Sequence, residues 1–378
     1  MDFSLSEEQE AVRDLARQIF SENVTHERLI ELTRSGEWFD MALWEEVAKA
    51  NLPGVAIAEE FGGSGFGPIE LCLMLEAVGR YVAPVPLFAT SVLGAGPIAQ
   101  FGDDALRDRW LRPVIEEGAV LTAALNELGS SAPEQPRVSA RRDGDAYRLD
   151  GVKECVPAAQ LARGILVPAQ TEDGVGVFVL DPAASGVTLE RQIMTHGEPQ
   201  SRLCLAGARV AAGDLVGNVS GGAEVVAWIV ARAELALSAL QLGVVEGALA
   251  DTASYIAERK QFGRPIATFQ GVALRAADAY IDVECLRGIV YEAAWRLSAG
   301  RDARAEIAAA KWWAATAGMR VVHTAQHLHG GIGSDIEYPV HRYFLWAKQN
   351  ELLFGGEMEQ LAKLGAHLVS DERVNADL

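Results

Sequence analysis

The stretch Arg259-Lys260-Gln261-Phe262-Gly263-Arg264-Pro265-Ile266-Ala267-Thr268-Phe269-Gln270 places a guanidinium, an aromatic ring and an amide within one short turn. A guanidinium can pair with a pyrophosphate, a ring can pack on a flat ligand, and an amide can hydrogen-bond a polar edge. The competing reading is a helix–helix turn with solvated basic residues. Residue types alone leave both open.

The elements around this turn are legible from periodicity. An apolar-striped segment from Val225 to Glu258 runs into it as a helix, which Gly263 and Pro265 break. A second helical pattern starts after Thr268, the expected N-cap. Further back, residues 6 to about 115 read as helices, with Leu5, Val12, Leu15, Ala16 and Ile19 recurring at helical spacing, then Leu43, Val47 and Ala48. The glycines at 62–67 form a loop; a phosphate cradle there would want a following Lys-Ser/Thr, which is missing. From about 120 to 216 short β-rich runs alternate with turns, at 146–149, 164–167, 176–180 and 203–205, as in a small antiparallel barrel or sandwich. Helical patterns return at 223–260, 268–299, 302–328 and 339–370. The expected fold class is α+β in three segments: 1–117 all-α, 118–217 β, and 218–378 a helical bundle.

Composition narrows the function. The 378 residues are 49% hydrophobic, which excludes disorder, and carry a net charge of −19. Nucleic acid and anionic membrane surfaces are poor partners for that charge. A polyanion such as coenzyme A still fits through a local basic patch. The cysteines (Cys72, Cys155, Cys204, Cys285) have no metal-like spacing and read as reduced thiols. Met1 to Gln9 is acidic and capped like a helix start, without a secretory pattern. No uninterrupted apolar run reaches the roughly 20 residues of a membrane span. A cytoplasmic protein is expected. His323 and His327 lie at i, i+4 with His329 nearby, but no further ligand sits at a recognisable spacing, so no metal site is assigned. Trp312 and Trp313 are expected to pack between helices.

Three motifs in order make the chain similar to the acyl-CoA dehydrogenase family. These are Pro53 to Gly65, ending Glu59-Glu60-Phe61-Gly62-Gly63-Ser64-Gly65; the Arg-x-x-Phe-Gly turn with its following Gln; and His329-Gly330-Gly331-Ile332-Gly333. The resemblance implies N-terminal helices, a middle antiparallel β domain and a C-terminal four-helix bundle. It implies FAD as cofactor and an acyl-CoA thioester as substrate. It also implies an electron-transfer flavoprotein or similar acceptor. Arg259, Gln261, Phe262, Gln270, His327, Gly330 and Gly331 are then the residues that reach the flavin dinucleotide of a neighbouring subunit. The implied reaction removes a proton from the α-carbon with a carboxylate while the β-hydrogen leaves as hydride to the flavin.

The positions that should perform this chemistry depart from the family. The C-terminal base would follow Ala347-Lys348, where the chain has Phe354 and then Gly355-Gly356. The alternative base, 26 residues before Arg259, is Ala233. Its neighbour Glu234 is a carboxylate, but one helical step turns a side chain by about 100°. Glu351 and Glu357 flank Phe354 as reserves, with a solvated role the plainer reading. In the β domain, Asn126-Glu127-Leu128-Gly129-Ser130-Ser131 and Lys153-Glu154-Cys155-Val156-Pro157 stand where the family contacts the ring. Cys155 replaces its Trp, and Pro157 replaces the hydroxyl residue that meets the flavin.

A homo-oligomer needs both halves of a cofactor site in one sequence. Keeping only the donated half fits a heteromer whose homologous partner supplies the ring pocket and the Glu. The run Tyr338 to Gln349 is similar to second subunits of bacterial α2β2 acyl-CoA dehydrogenases acting on steroid side chains, which carry one flavin per αβ pair. Two alternatives stand beside this: a homomeric enzyme using Glu234 or Glu351 as base, and a flavin-free scaffolding or binding paralogue.

Overall fold

The computed structural model describes residues 4–370. In chain order its helices are α1 (Glu7–Asn23), α2 (His26–Ser35), α3 (Met41–Lys49), α4 (Pro68–Arg80), α5 (Gly96–Phe101) and α6 (Asp104–Glu117). Strands follow: β1 (Val120–Ala123), β2 (Ser139–Asp143), β3 (Ala146–Pro157), β4 (Ala162–Thr171), β5 (Gly174–Leu180), β6 (Val187–Ile193), β7 (Pro199–Ala211) and β8 (Leu215–Val216). Then come α7 (Gly222–Glu258), the two-residue strands β9 (Lys260–Gln261) and β10 (Arg264–Pro265), α8 (Gln270–Ser298), α9 (Arg304–His329), α10 (Val340–Leu352) and α11 (Glu357–Ser370). Helices, sheet and helices in that order are the acyl-CoA dehydrogenase arrangement expected from the sequence.

Packing forms two compact units that do not follow chain order. One comprises 1–37, 68–84 and 234–378; the other 38–67 and 85–233. In the first, α1 opens on a reciprocal cap: the Ser6 hydroxyl accepts from the Gln9 amide and the Gln9 side chain accepts from the Ser6 amide. Of the predicted stripe Ala16 is buried, whereas Leu15 is 41% exposed; Phe20 takes the inward place instead. Helices α4 and α7 meet backbone to backbone. A Cβ on Gly79 would lie 1.9 Å from the Leu240 carbonyl oxygen, and one on Gly243 1.9 Å from that of Glu76. Around this seam Glu76 accepts from Arg17 at 2.8 Å and from the Tyr291 hydroxyl at 2.6 Å, and Glu246 pairs with Arg80 and Arg287. Burial, and then Glu246, push Glu76 above the usual carboxylate range.

The C-terminal helices differ from the sequence reading in one respect. The pattern at 339–370 is two helices, α10 and α11, broken at Leu353–Gly356, so five helices among the described residues occupy the region read as a four-helix bundle. Helix α7 is long and apolar enough to cross a membrane by length and composition, but charged residues interrupt it and 72% of its most apolar window is buried inside the protein. Trp313 donates to the Asp282 carbonyl at 3.1 Å, packing α9 on α8 as expected of the tryptophan pair.

In the second unit the strands form one sheet in the order β6-β7-β3-β2-β4-β5-β8, with β1 on β4. Most pairings are antiparallel, but β1–β4 and β2–β4 are parallel, so the sheet is mixed. Inward residues of β4 and β5 (Ile165, Val167, Phe178, Leu180) form its core. The Trp44 indole donates to the Gly118 carbonyl at 2.7 Å, anchoring the end of α6, where Gly118 takes φ +67°.

Candidate functional site

The turn after α7 is a hairpin. Phe262 and Gly263 occupy its two central positions at φ +52° and +79°, both left-handed, as a two-residue turn of this hand requires. Glycine adopts that geometry without strain, whereas for phenylalanine it costs about 1–2 kcal/mol. The ring gains little inside this chain in return: it meets Phe269 edge-on at 6.1 Å and Phe262 stays 94% exposed. The hairpin base is firm. Arg264 stacks over Phe269 at 4.3 Å, and the Ile266 amide donates to the Arg259 carbonyl at 2.8 Å. Thr268 is not the N-cap. Its hydroxyl donates to the Pro265 carbonyl inside a short 3-10 turn, and α8 starts at Gln270 with Phe269 in the flanking position. The Arg259 guanidinium is exposed and has no carboxylate within ion-pair distance among the described residues.

The glycine loop is tied to the same end of α7. His329, the last residue of α9, is buried; its Nδ1 donates to the Ala325 carbonyl at 2.8 Å. Because a carbonyl only accepts, Nδ1 carries the proton. The ring stacks on Tyr255 with centroids 4.4 Å apart, and the Tyr255 hydroxyl donates to the His329 carbonyl at 3.3 Å. Burial lowers the His329 pKa, which keeps it neutral in this stack. Tyr255 lies one turn before Arg259, so one aromatic stack joins the hairpin to the glycine loop.

A Cβ on Gly330 or Gly331 would touch nothing within 4 Å, whereas one on Gly333 would come within 2.7 Å of the Gln326 carbonyl oxygen. Gly333 is therefore needed for internal packing. The first two glycines leave open room for a group from outside. Arg259, Gln261, Phe262, Gln270, His327, Gly330 and Gly331 are all exposed. These donors and the uncovered ring fit a dinucleotide approaching from outside the chain.

The base positions hold a different arrangement. Phe354 adopts φ +57° in the turn between α10 and α11. Beneath this turn the buried Lys311 ammonium donates to the carbonyls of Asn350, Glu351 and Gly355 at 2.8, 3.1 and 3.2 Å. Burial lowers Lys311 to about 8. Glu234 is committed elsewhere: one carboxylate oxygen accepts from Lys363 at 2.7 Å and from the Gln360 amide at 2.9 Å, and Gln360 also donates to the Phe354 carbonyl. Glu351 pairs with Lys348 at 2.7 Å, Glu357 is exposed at the start of α11, and Ala233 is buried. His323 sits edge-on to Phe344 at 4.8 Å.

On the β side, Lys153 is fully buried and pairs with Glu127 at 2.7 Å. Glu127 also accepts the Arg137 and Val138 amides at 2.8 and 3.1 Å. Against the effect of its own burial, Lys153 and these amides hold Glu127 below the usual carboxylate range. Beyond Lys153 the ladder of β3 with β7 is interrupted until Val156. In this gap Cys155 takes φ +51°, and its amide donates to the Gln192 side chain at 2.9 Å. Gln192 and Arg202 both donate to Glu154. Pro157 has no amide hydrogen, and Cys155 spends its own inside the chain. The residues here do not fit the ring of a flavin.

Sequence reasoning missed Tyr255, Lys311, Gln360 and Lys363. Tyr255 had a signal in its one-turn spacing from Arg259. Lys311 had one as a lone charge in the apolar run Ala308 to Ala315. Gln360 and Lys363 had none, because the partner they share is far away in sequence.

Comparison with known proteins agrees with this architecture. Residues 6–118 match the family described as acyl-CoA dehydrogenase, N-terminal domain, and residues 220–368 its C-terminal domain. The chain is 39% identical to acyl-CoA dehydrogenase FadE27 of Mycobacterium tuberculosis, over 97% of this chain and 99% of that one. Among solved structures it is similar to a chain of the ChsE4-ChsE5 complex of M. tuberculosis (38% identity, TM-score 0.92, 98% and 100% covered). It is also similar to a chain of a variant of the Tcur3481-Tcur3483 steroid ACAD (41%, TM-score 0.90, 97% and 99% covered).

Proposed function

The chain belongs to the acyl-CoA dehydrogenase family, and from that premise we propose that it is the flavin-clamping subunit of a heteromeric enzyme. The family's members bind FAD and are oxidoreductases acting on CH–CH bonds. One observation carries the proposal: every candidate cofactor contact on the helical side is exposed, while the positions for base and ring on this chain are occupied by internal structure. FAD, when bound, supplies the two-electron acceptor.

This chain's residues hold rather than react. Arg259 pairs with the pyrophosphate, Phe262 lends its uncovered ring, and Gln261, Gln270, His327 and the amides of Gly330 and Gly331 hydrogen-bond polar edges. A homologous subunit supplies the carboxylate and the ring pocket. Glu234, already accepting from Lys363 and Gln360, anchors α11 instead of acting as base. The similar chains from the ChsE4-ChsE5 and Tcur3481-Tcur3483 complexes support a two-protein assembly, and the second, a steroid ACAD, supports a bulky acyl thioester as substrate.

The test is the visible spectrum of the chain purified alone and after co-expression with a neighbouring dehydrogenase gene. Colourless protein that gains flavin on co-expression is expected. A yellow homotetramer that oxidises an acyl-CoA by itself would overturn the heteromer. Absence of flavin under both conditions would favour a scaffold.

A further inference from the structure

With 19 excess negative charges available, arginines of this chain commonly sit on carboxylates: Arg109 on Asp214, Arg163 on Glu117, Arg202 on Glu154. Arg232 on α7 does not. Its guanidinium carbon lies 3.7 Å from the centre of the Trp228 ring, one turn earlier, and it has no hydrogen-bond or ion-pair partner among the described residues. Trp228 is itself fixed. Phe101 meets it edge-on at 5.6 Å, and a Cβ on Gly96 would lie 3.5 Å from the indole.

A guanidinium seated on an indole is held in place through its face, which leaves its N–H edge free. Arg232 is only partly covered, and its nitrogens are not among the fully enclosed unpaired atoms, so that edge reaches solvent. Burial lowers its pKa to about 10, which leaves it cationic at neutral pH. Holding an unpaired cation partly out of water is unfavourable, and a bound anion offsets that.

The geometry points to Arg232, clamped by Trp228, as the recognition group for an oxyanion of the substrate, a phosphate or a carboxylate gripped by two parallel hydrogen bonds. The acyl-CoA reading enters only in naming the molecule that carries it, through a phosphate of coenzyme A or an acidic group on the acyl chain.

Calorimetric titration of the chain, with any co-purifying subunit, against coenzyme A, dephospho-coenzyme A and succinate tests this. At least one probe should bind wild type and bind Arg232→Gln about 10-fold or more weakly. Arg232→Lys should recover part of the loss, and Trp228→Leu should show an intermediate one. A loss confined to coenzyme A locates its 3′-phosphate, a loss for both nucleotides its pyrophosphate, and a loss for succinate a carboxylate. Succinate bound by wild type without any nucleotide binding would remove the acyl-CoA reading and leave the oxyanion site standing. Equal binding of all probes by wild type and Arg232→Gln, or no binding by wild type, would overturn the site.

Discussion

Phe262 and Cys155 sit at nearly the same strained backbone angle, φ +52° and +51°, and use it in opposite ways. At Phe262 the strain turns an aromatic ring out into solvent; at Cys155 it turns an amide inward to Gln192. Non-glycine residues stay left-handed only where the surrounding structure over-determines them. Around Cys155 that structure is visible: the Glu154–Gln192–Arg202 network and the Glu127–Lys153 pair. Around Phe262 the hairpin base is fixed, but the ring meets only the edge contact of Phe269 among the described residues and stays exposed. The first region is bound up in internal contacts, while the second leaves its donors exposed, as the proposed role toward a partner's cofactor needs.

The comparison is most exposed to removal of the scaffold's central pair. Glu127→Ala strands the Lys153 ammonium in an apolar interior and should cost about 3–5 kcal/mol in urea unfolding. A loss below about 1 kcal/mol would show that the β side is not held as described.

Lys311 supports a third strained residue, Phe354, and can be followed by pH. Its native pKa of about 8 lies below the ordinary lysine value, so between the two the unfolded chain keeps a proton that the native chain has released. This residue's contribution to stability therefore rises with pH across that window. From pH 8 to 10 wild type should gain roughly 1–3 kcal/mol relative to Lys311→Met. A flat difference would mean a solvated ammonium and a loosely held turn.

Arg259→Ala probes the outward region. Flavin retention by the assembled enzyme should weaken by about 1.5–3 kcal/mol, with the urea midpoint of the chain unchanged. Retention equal to wild type would leave the arm without a role.

Glu234→Gln should have the smallest effect, with turnover within about two-fold of wild type; a loss of roughly 10²-fold or more would restore Glu234 as the base.

Much of this was legible in the residue order. Helical stripes, β-rich runs and turn signals located the helical and β regions because burial imposes their periods directly. The silence at Phe354 needed only the knowledge that a phenyl ring accepts no proton. Local rules failed where distant segments competed. Thr268 looked like a cap, yet its hydroxyl found Pro265, and 339–370 is two helices whose junction has carbonyls of Asn350, Glu351 and Gly355 bonded to the distant Lys311.

The sequence by itself determined the element order, the family motifs and a phenylalanine instead of a carboxylate at 354, since each is written in residue types at short spacing. Only the tertiary structure decided that Glu234 is engaged by Lys363 and Gln360, that a Tyr255–His329 stack joins the hairpin to the glycine loop, and that Arg232 has no carboxylate partner among the described residues. Those outcomes depend on which side chains meet across long stretches of chain. Packing chooses among such meetings, and no local spacing records the choice.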